Sequence, residues 1–192
     1  MNKTANKEET LIKSKKRVAD YGEVYTPSWL VESMLDLVKQ ETERIDSRFL
    51  EPACGDGNFL AKVLERKLKI VFQRYRKSQE EYEKYAVLGI SSIYGIDIIE
   101  DNVVACRDRL LKIFEDNYRN IYKDKINSLC IESVEKILSL NIVHGDSLSL
   151  KSCDKNTKPI IFPEWSLVNA THFKRRDFSF EELMATSDYN SM

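Results

Sequence analysis

The sequence predicts an α/β fold with a central, mostly parallel sheet flanked by helices. Three short apolar runs, within 49–51, 86–98 and 141–148, each end at or near an acidic residue. Between them lie longer stretches whose apolar residues recur at helical spacing. The first run passes through a glycine-containing turn directly into such a stretch, which is the strand, turn and helix order of an α/β unit.

Length and composition indicate a single soluble domain. The chain has 192 residues, of which 42% are hydrophobic and 32% are charged, an ordinary globular composition. The net charge of −1 creates no overall field that would attract nucleic acid, so such contacts would need a local basic patch. No apolar run approaches the roughly 18 residues that span a membrane, and we expect no membrane partner.

The cysteines and histidines indicate neither a metal site nor a disulfide framework. Four cysteines stand at positions 54, 106, 130 and 153, none of them in a Cys-x-x-Cys pair, and the chain has two histidines. Scattered cysteines of this kind favour a reduced, cytoplasmic setting.

The first 20 residues are polar, with four basic residues between positions 13 and 17. Such a run is typical of a solvated, mobile tail, and an arm that contacts nucleic acid is the alternative. We therefore expect a flexible basic tail over residues 1–20, followed by one domain over residues 21–192.

The domain opens with Tyr25-Thr26-Pro27, followed by a helical pattern. Thr26 or Ser28 could cap this helix. Its apolar residues share one face and are Leu30, Val31, Met34, Leu35, Leu37 and Val38.

The stretch 49–60 predicts a ligand site. A short strand ends at Glu51, and Gly55 and Gly57 then allow the positive φ angles that bring main-chain N–H groups close to a ligand. A helix over 57–76 follows. The main-chain N–H groups of its first turn have no partner within the helix and would face the same ligand.

The glycines do not complete a dinucleotide-binding fingerprint. Leu60 stands where the third glycine would be needed, and Asp56 beside the glycines would repel a pyrophosphate. We therefore expect a nucleotide-like ligand with little phosphate, while a plain turn between strand and helix is the alternative.

An acidic residue, Asp97, ends the second predicted strand, which lies within the apolar run 86–98. A carboxylate at this position can accept two hydrogen bonds from a ribose diol. Asp97 follows the glycine turn by about twice the usual spacing of about 20 residues, so the intervening helix and its connection must be longer. A helix N-cap is the alternative role for Asp97.

Four further elements are predicted after the second strand. The patterns favour helices over 99–116 and 128–140 and a third strand within 141–148, which ends in a Gly-Asp pair. His144 in this strand is interpreted as a packed residue rather than a catalytic base. The apolar residues at 159–162 predict a fourth strand.

Together these motifs resemble those of the DNA amino-methyltransferases, the adenine-N6 enzymes of restriction-modification systems, which use S-adenosylmethionine (SAM). The resemblance implies a Rossmann-like SAM-dependent methyltransferase fold. It lies in Tyr25-Thr26-Pro27, in Glu51-Pro52-Ala53-Cys54-Gly55-Asp56-Gly57-Asn58-Phe59, in Tyr94-Gly95-Ile96-Asp97 with the nearby Asn102, and in Gly145-Asp146.

The resemblance implies SAM as the cofactor and no metal. The Tyr25 turn would close over the methionine end of SAM, Asp97 would hold the ribose, and Asp146 would accept from the exocyclic amine of adenine. The cofactor contacts that it implies are Tyr25, Thr26, Pro27, Glu51, Pro52, Ala53, Gly55, Gly57, Asn58, Phe59, Asp97, Ile98, Asp146 and Ser147.

The catalytic motif of the family, Asp/Asn-Pro-Pro-Tyr/Phe, is absent. The four prolines stand at 27, 52, 159 and 163, and no two are adjacent. Phe162-Pro163-Glu164-Trp165 stands about where the motif would come, but Phe162 cannot accept a hydrogen bond and Glu164 replaces the second proline. Trp165 could still stack on a flipped base. We predict that the isolated chain does not methylate adenine.

The four predicted strands correspond to the cofactor-binding, N-terminal half of the family's sheet, so we expect an incomplete sheet. Such a sheet exposes an edge strand and one face, which favours a homo-oligomer or a partner subunit that completes it. DNA is the further partner that the resemblance implies. The basic residues 174–176 are either a phosphate-contact patch or a solvated loop.

Two classes of function remain open from the sequence. One is a SAM-binding member of the DNA adenine methyltransferases that needs a partner for the catalytic loop. The other is a non-catalytic module with a regulatory, DNA-binding or assembly role, which the missing motif favours. A small-molecule methyltransferase is a weaker third alternative, and N4-cytosine stays open as the methylated base.

Overall fold

A four-stranded sheet, a two-stranded hairpin and flanking helices form the fold in the computed structural model, which describes residues 13–21, 23–24, 26–168 and 172–182. The predicted α/β class is confirmed. The helices are α1 (Lys15–Tyr21), α2 (Ser28–Leu37), α3 (Lys39–Thr42), α4 (Asn58–Tyr75), α5 (Gln79–Ser91), α6 (Glu100–Tyr122) and α7 (Ser128–Asn141), with a 3-10 turn at Lys123–Lys125. The strands are β1 (Phe49–Glu51), β2 (Ile93–Asp97), β3 (Ile142–Asp146), β4 (Lys151–Ser152), β5 (Ile161–Leu167) and β6 (Phe173–Ser179).

The larger sheet is mixed and has the order β1-β2-β3-β4. The first three strands are parallel, with Phe49 opposite Ile93 and Gly95 opposite Ile142, whereas β4 pairs antiparallel with β3. Helices connect the parallel strands, because a parallel pair needs a long crossover. The carboxyl ends of β1, β2 and β3 therefore meet at one edge.

The helices α4 to α7 pack against one face of this sheet. α4 buries Leu60, Val63, Leu64, Leu68 and Val71, which recur every three or four residues. They join the larger apolar cluster, to which α5, α6 and α7 also contribute and which includes the strand residues Ile93 and Ile142. None of the helices in the described ranges is long and apolar enough to cross a membrane.

α5 is a helix that the sequence pattern does not predict. The charged stretch before residue 84 and the start of the apolar run at 86–98 form one helix, so that only Ile93–Asp97 are strand. Ser78 caps α5 by accepting a hydrogen bond from the main-chain N–H of Glu81 at 3.4 Å. Tyr82, Ala86, Gly89 and Ile90 form its buried face.

The stretch 159–162, expected to form the fourth strand of the sheet, does enter a strand, but this strand lies outside that sheet. β4 takes the fourth position in the sheet, and β5 instead pairs antiparallel with β6 as a separate hairpin. Phe162 packs edge-to-face on Tyr94 and on Phe180, and the Tyr94 hydroxyl donates to the carbonyl of Pro163 at 2.9 Å. These rings form a second apolar cluster with Ile96 and Ile160.

The hairpin covers the sheet face that was expected to be open. Ile93 lies in the cluster under the helices, and Tyr94 lies in the cluster under the hairpin, because successive strand residues point to opposite faces. The basic residues 174–176 belong to β6, where Arg175 pairs with Asp177 at 2.7 Å.

Two smaller expectations also differ from the structure. Pro27 occupies the N-cap position of α2, so that neither Thr26 nor Ser28 is the cap. α1 lies within the stretch expected to be a tail, since Lys15–Tyr21 form a helix there. All four cysteines are free thiols, of which Cys153 is exposed and those at 54, 106 and 130 are buried.

Candidate functional site

A cavity of about 430 Å³ opens at the carboxyl ends of β1, β2 and β3. Its volume suits a small organic ligand, for which pockets of about 300–1,000 Å³ are usual. The structure brings together in its wall the following residues implied as cofactor contacts: Thr26, Glu51, Pro52, Ala53, Gly55, Asn58, Phe59, Asp97, Ile98, Asp146 and Ser147.

Of the three remaining implied contacts, two are described and do not line this wall. Tyr25 lies outside the described residues. Pro27 starts α2 and Gly57 is the N-cap of α4. Gly57 has a φ of 86°, and a Cβ there would lie 2.7 Å from the Sγ of Cys106, so this position needs glycine for the turn to pack on α6.

Other residues of the wall were not among the implied contacts. Cys54, Asp56 and Gly145 lie inside the quoted motifs, so their place next to the site follows from the motifs themselves. Asn102 was quoted with the Asp97 motif, whereas Glu23 belongs to no quoted motif and reaches the cavity through the tertiary fold. The rest of this group is Val24, Met34, Ile99 and Leu148.

The glycine turn is tied to the elements on either side of it. The main-chain N–H of Gly55 donates to Oδ2 of Asp97 at 2.8 Å, and that of Cys54 donates to the carbonyl of Ile96 at 2.9 Å. Asn58 donates from Nδ2 to the carbonyl of Thr26 at 2.6 Å. The turn is thereby held between the end of β2 and the segment before α2.

Asp97 is buried at the end of β2, with 7% of its surface exposed. Its Oδ1 accepts from the N–H of Ile99 at 2.8 Å and from Nδ2 of Asn102 at 3.3 Å, and its Oδ2 accepts from Gly55. Since each carboxylate oxygen accepts about two hydrogen bonds, one position on Oδ2 remains for a ligand. Asp97 can therefore take one ribose hydroxyl rather than both. The N-cap of α6 is Ile99, not Asp97.

The cavity wall is acidic. It contains the carboxylates of Glu23, Glu51, Asp56, Asp97 and Asp146, and no lysine, arginine or histidine among the described residues that line it. A wall of this charge disfavours polyphosphates and favours cations and hydrogen-bond donors.

Most of these carboxylates already have partners. Arg17 pairs with Glu23 at 2.5 Å, and Arg109 pairs with Asp56 at 2.7 Å. Asp146 accepts from the N–H of Leu148 at 2.9 Å, and this backbone hydrogen bond is the main cause that lowers the pKa of Asp146.

Glu51 differs from the other carboxylates. Burial raises its pKa, and only a backbone hydrogen bond from Ala53 opposes this rise. No ion pair involves Glu51 among the side chains that the structure describes. A cationic group of a ligand would supply the missing partner.

The position expected for the catalytic tetrapeptide does not reach the cavity. Phe162 and Pro163 lie in the apolar contact with Tyr94, and Glu164 pairs with Arg48 at 2.6 Å. None of the four residues lines the cavity wall.

Trp165 lies in the second half of β5 and packs against the apolar cluster under the helices. The guanidinium of Arg175 lies 5.7 Å from its ring centroid. In this arrangement Trp165 is not placed to stack on a base at the cavity. His144 is a strand residue whose Nε2 lies 3.1 Å from the carbonyl of Ile98. No group of acidic, cysteine and histidine side chains in the described ranges could hold a metal ion.

No family model, curated protein or solved structure matches the chain.

Proposed function

We propose that this chain binds SAM in the cavity at the carboxyl ends of β1, β2 and β3, as a member of the DNA amino-methyltransferase family with a Rossmann-like fold. The observation that supports this most is the convergence of Glu51, Asp97 and Asp146 on one cavity, beside the glycine turn. Each of them ends one of three neighbouring parallel strands.

The chemistry of SAM fits these three groups. Its ammonium or sulfonium would supply the cation that Glu51 lacks, and a ribose hydroxyl would take the remaining acceptor position on Asp97. Its adenine amine would donate to Asp146. SAM has one more positive charge than its demethylated product, so the acidic wall should favour SAM.

A non-catalytic role for the isolated chain is favoured by the position of β5. The residues at the expected catalytic motif form part of the hairpin core and an ion pair with Arg48, away from the cavity wall. We therefore propose cofactor binding by this chain and no DNA methylation by it alone. A regulatory or assembly role, or a partner that supplies the acceptor loop, would follow from this.

Calorimetric titration of the purified chain with SAM, with its demethylated product and with ATP tests the proposal. We expect SAM to bind most tightly and ATP not to bind. Asp97→Ala should abolish binding, while Glu65→Gln should leave it unchanged, because Glu65 is an exposed acid on α4 that pairs with Lys62. A folded wild-type chain that shows no heat with SAM, or binding that survives Asp97→Ala, overturns the proposal.

A further inference from the structure

The described residues 13–21 and 23–24, here called the N-terminal strap, connect to α6 through Arg17. Two nitrogens of its guanidinium donate to the two carboxylate oxygens of Asp101, at 2.6 and 2.9 Å. Such a two-point contact fixes the direction of the guanidinium as well as its distance. α1 is thereby attached to the first turn of the helix that follows β2.

The same guanidinium also reaches two residues of the cavity wall. It pairs with Glu23 at 2.5 Å and donates to Oδ1 of Asn102 at 3.0 Å. Lys13 donates to the same Oδ1 at 2.8 Å. Asp101 has 62% of its side chain exposed, but Glu23 has only 7% exposed, so the pair with Glu23 is the one that solvent screens least.

Asn102 connects Arg17 and Glu23 to Asp97 through hydrogen bonds. Its Nδ2 donates to Oε1 of Glu23 at 2.7 Å and to Oδ1 of Asp97 at 3.3 Å, and the residue is 1% exposed. Its Oδ1 faces two cations, so a flipped amide would place its NH₂ group against Lys13 and Arg17. The amide is therefore held with its donors toward the two carboxylates.

We propose that Arg17 is a positioning residue for the SAM site, which it serves by holding Asn102, and through it the Asp97 carboxylate, in the ligand-binding orientation. This inference rests on the proposed SAM binding. Arg17 does not line the cavity, and it acts by closing the strap, whose Glu23 and Val24 form part of the wall.

The charges in the strap explain why the arginine is needed. Burial would raise the pKa of Glu23, but the hydrogen bonds from Asn102 and Arg17 outweigh burial, and the pKa is lowered. Without Arg17, the carboxylate of Glu23 would lose the guanidinium that pairs with it at 2.5 Å, while Asn102 would still connect it to Asp97. The strap would then open or Glu23 would take up a proton, and either change disturbs Asn102.

The first test compares SAM affinity by calorimetry in wild type, Arg17→Ala and Arg17→Lys. We expect Arg17→Ala to weaken binding by about tenfold or more, and Arg17→Lys to be intermediate, since lysine keeps the charge but not the two-point contact. The matched control is Lys16→Ala, which removes an exposed cation from the same helix and should bind SAM as wild type does.

A second readout separates positioning from a general loss of stability. Trypsin can cut the strap after Lys15 and Lys16 in all of these proteins except at the substituted residue. SAM should protect these bonds in wild type and fail to protect them in Arg17→Ala, while the melting temperature of the unliganded protein stays close to that of Lys16→Ala. If Arg17→Ala does not fold, Arg17→Lys provides the same comparison.

The outcomes distinguish this inference from the proposed function. If wild type binds SAM and Arg17→Ala binds it equally or more tightly, the positioning role is overturned and SAM binding stands. If folded wild type does not bind SAM, the proposed function fails, and the positioning role fails with it. Weaker binding by Arg17→Ala with loss of protection supports both.

Discussion

Glu51 is a carboxylate of the cavity whose pKa is raised by burial, and no ion pair with it is formed by the described side chains. Ionised, it would attract the ammonium or sulfonium of SAM. Protonated, it would offer a neutral hydroxyl in the same place. Because burial raises its pKa, the change between these states occurs at a higher pH than for an ordinary glutamate.

Replacing Glu51 with glutamine keeps the shape of the side chain and removes the charge. We expect Glu51→Gln to bind SAM about tenfold more weakly, a loss of about 1.4 kcal/mol. In wild type the affinity should fall as the pH is lowered from 7 toward 5, and this fall should be absent in Glu51→Gln. Calorimetry over this pH range checks both; an unchanged pH profile in the variant contradicts the assignment.

Lys67 lies on α4, is fully buried and does not line the cavity. Its ammonium donates to the carbonyls of Arg44, Ile45 and Ser47 at 3.1, 2.9 and 2.6 Å. These contacts hold the loop before β1 against α4. Burial lowers the pKa of Lys67 to about 7, whereas a lysine in an unfolded chain has a pKa of about 10.4.

The free energy of unfolding should therefore rise with pH above 7 because of Lys67. Between the two pKa values the unfolded chain binds one proton more than the folded chain, and a proton bound only on unfolding stabilises the fold as the pH rises. Lys67→Met lacks this contribution and leaves three carbonyls without a donor. The difference in unfolding free energy between wild type and Lys67→Met should grow by about 1 kcal/mol per pH unit from pH 7 to 9.

Urea unfolding at pH 7, 8 and 9 measures this difference. Lys69→Met on the same helix is the control, since Lys69 is exposed. A constant difference between wild type and Lys67→Met over this range would show that Lys67 keeps its proton in the folded chain.

The first strand of the β5–β6 hairpin was expected in the main sheet, and the hairpin lies outside it. It contributes to the stability of the fold but not to the cavity wall. Phe162 is 3% exposed between Tyr94 and Phe180, while its neighbour Ile161 is 47% exposed. The hairpin therefore stabilises the sheet face opposite the helices and has no residue in the cavity wall.

Phe162→Ala should lower the free energy of unfolding by about 3–5 kcal/mol, since it removes a buried aromatic ring. Ile161→Ala should cost less than about 1 kcal/mol, because the side chain is half in solvent. Chemical denaturation gives both values. SAM affinity should be unchanged in the folded Phe162→Ala chain, and a clear loss of affinity there would mean that the hairpin belongs to the site after all.

The elements that the sequence predicted well are those with local signals. The glycine turn after β1, the acidic end of β2 and the Gly-Asp end of β3 each follow from a few neighbouring residues, and parallel pairing then brings them to one edge. α5 was missed because its first half is charged and its second half joins the apolar run of β2. The hairpin was missed because β6 is mostly polar, and because Phe162 packs on Tyr94, which is distant in the sequence.

In the candidate site, too, the residues with local sequence signals could be predicted, and the contacts between distant residues could not. Thr26, Asp97 and Asp146 could be predicted from motifs in their order along the chain. Glu23 and Asn102 meet at the cavity although 79 residues separate them, and Arg17 reaches Asn102 across 85 residues. No local pattern encodes such a contact, because it depends on how α1 lies across the start of α6.

On the scale of the whole molecule, the cavity that we propose for SAM has no recognisable site for a methyl acceptor beside it. We predict that the purified chain transfers no labelled methyl group from SAM to adenine in DNA. The physical reason is that the described cavity wall holds no Pro-Pro-aromatic loop that would orient an exocyclic amine in line with the methyl group. Scintillation counting of DNA after incubation checks this, and measurable transfer above a no-protein control contradicts it.

Because one thiol is exposed and three are buried, the reactivity of the cysteines reports on the opening of the folded chain. An aromatic disulfide reagent releases a light-absorbing thiolate when it reacts with a cysteine. It should react quickly with Cys153 in the native protein and with all four thiols after denaturation. Cys54 lines the cavity and Cys106 lies under the glycine turn, so a transient opening of the turn would register as additional reacting equivalents. The rate at which these buried thiols react would measure how often the cavity opens. The measurement needs neither a substitution nor an attached dye.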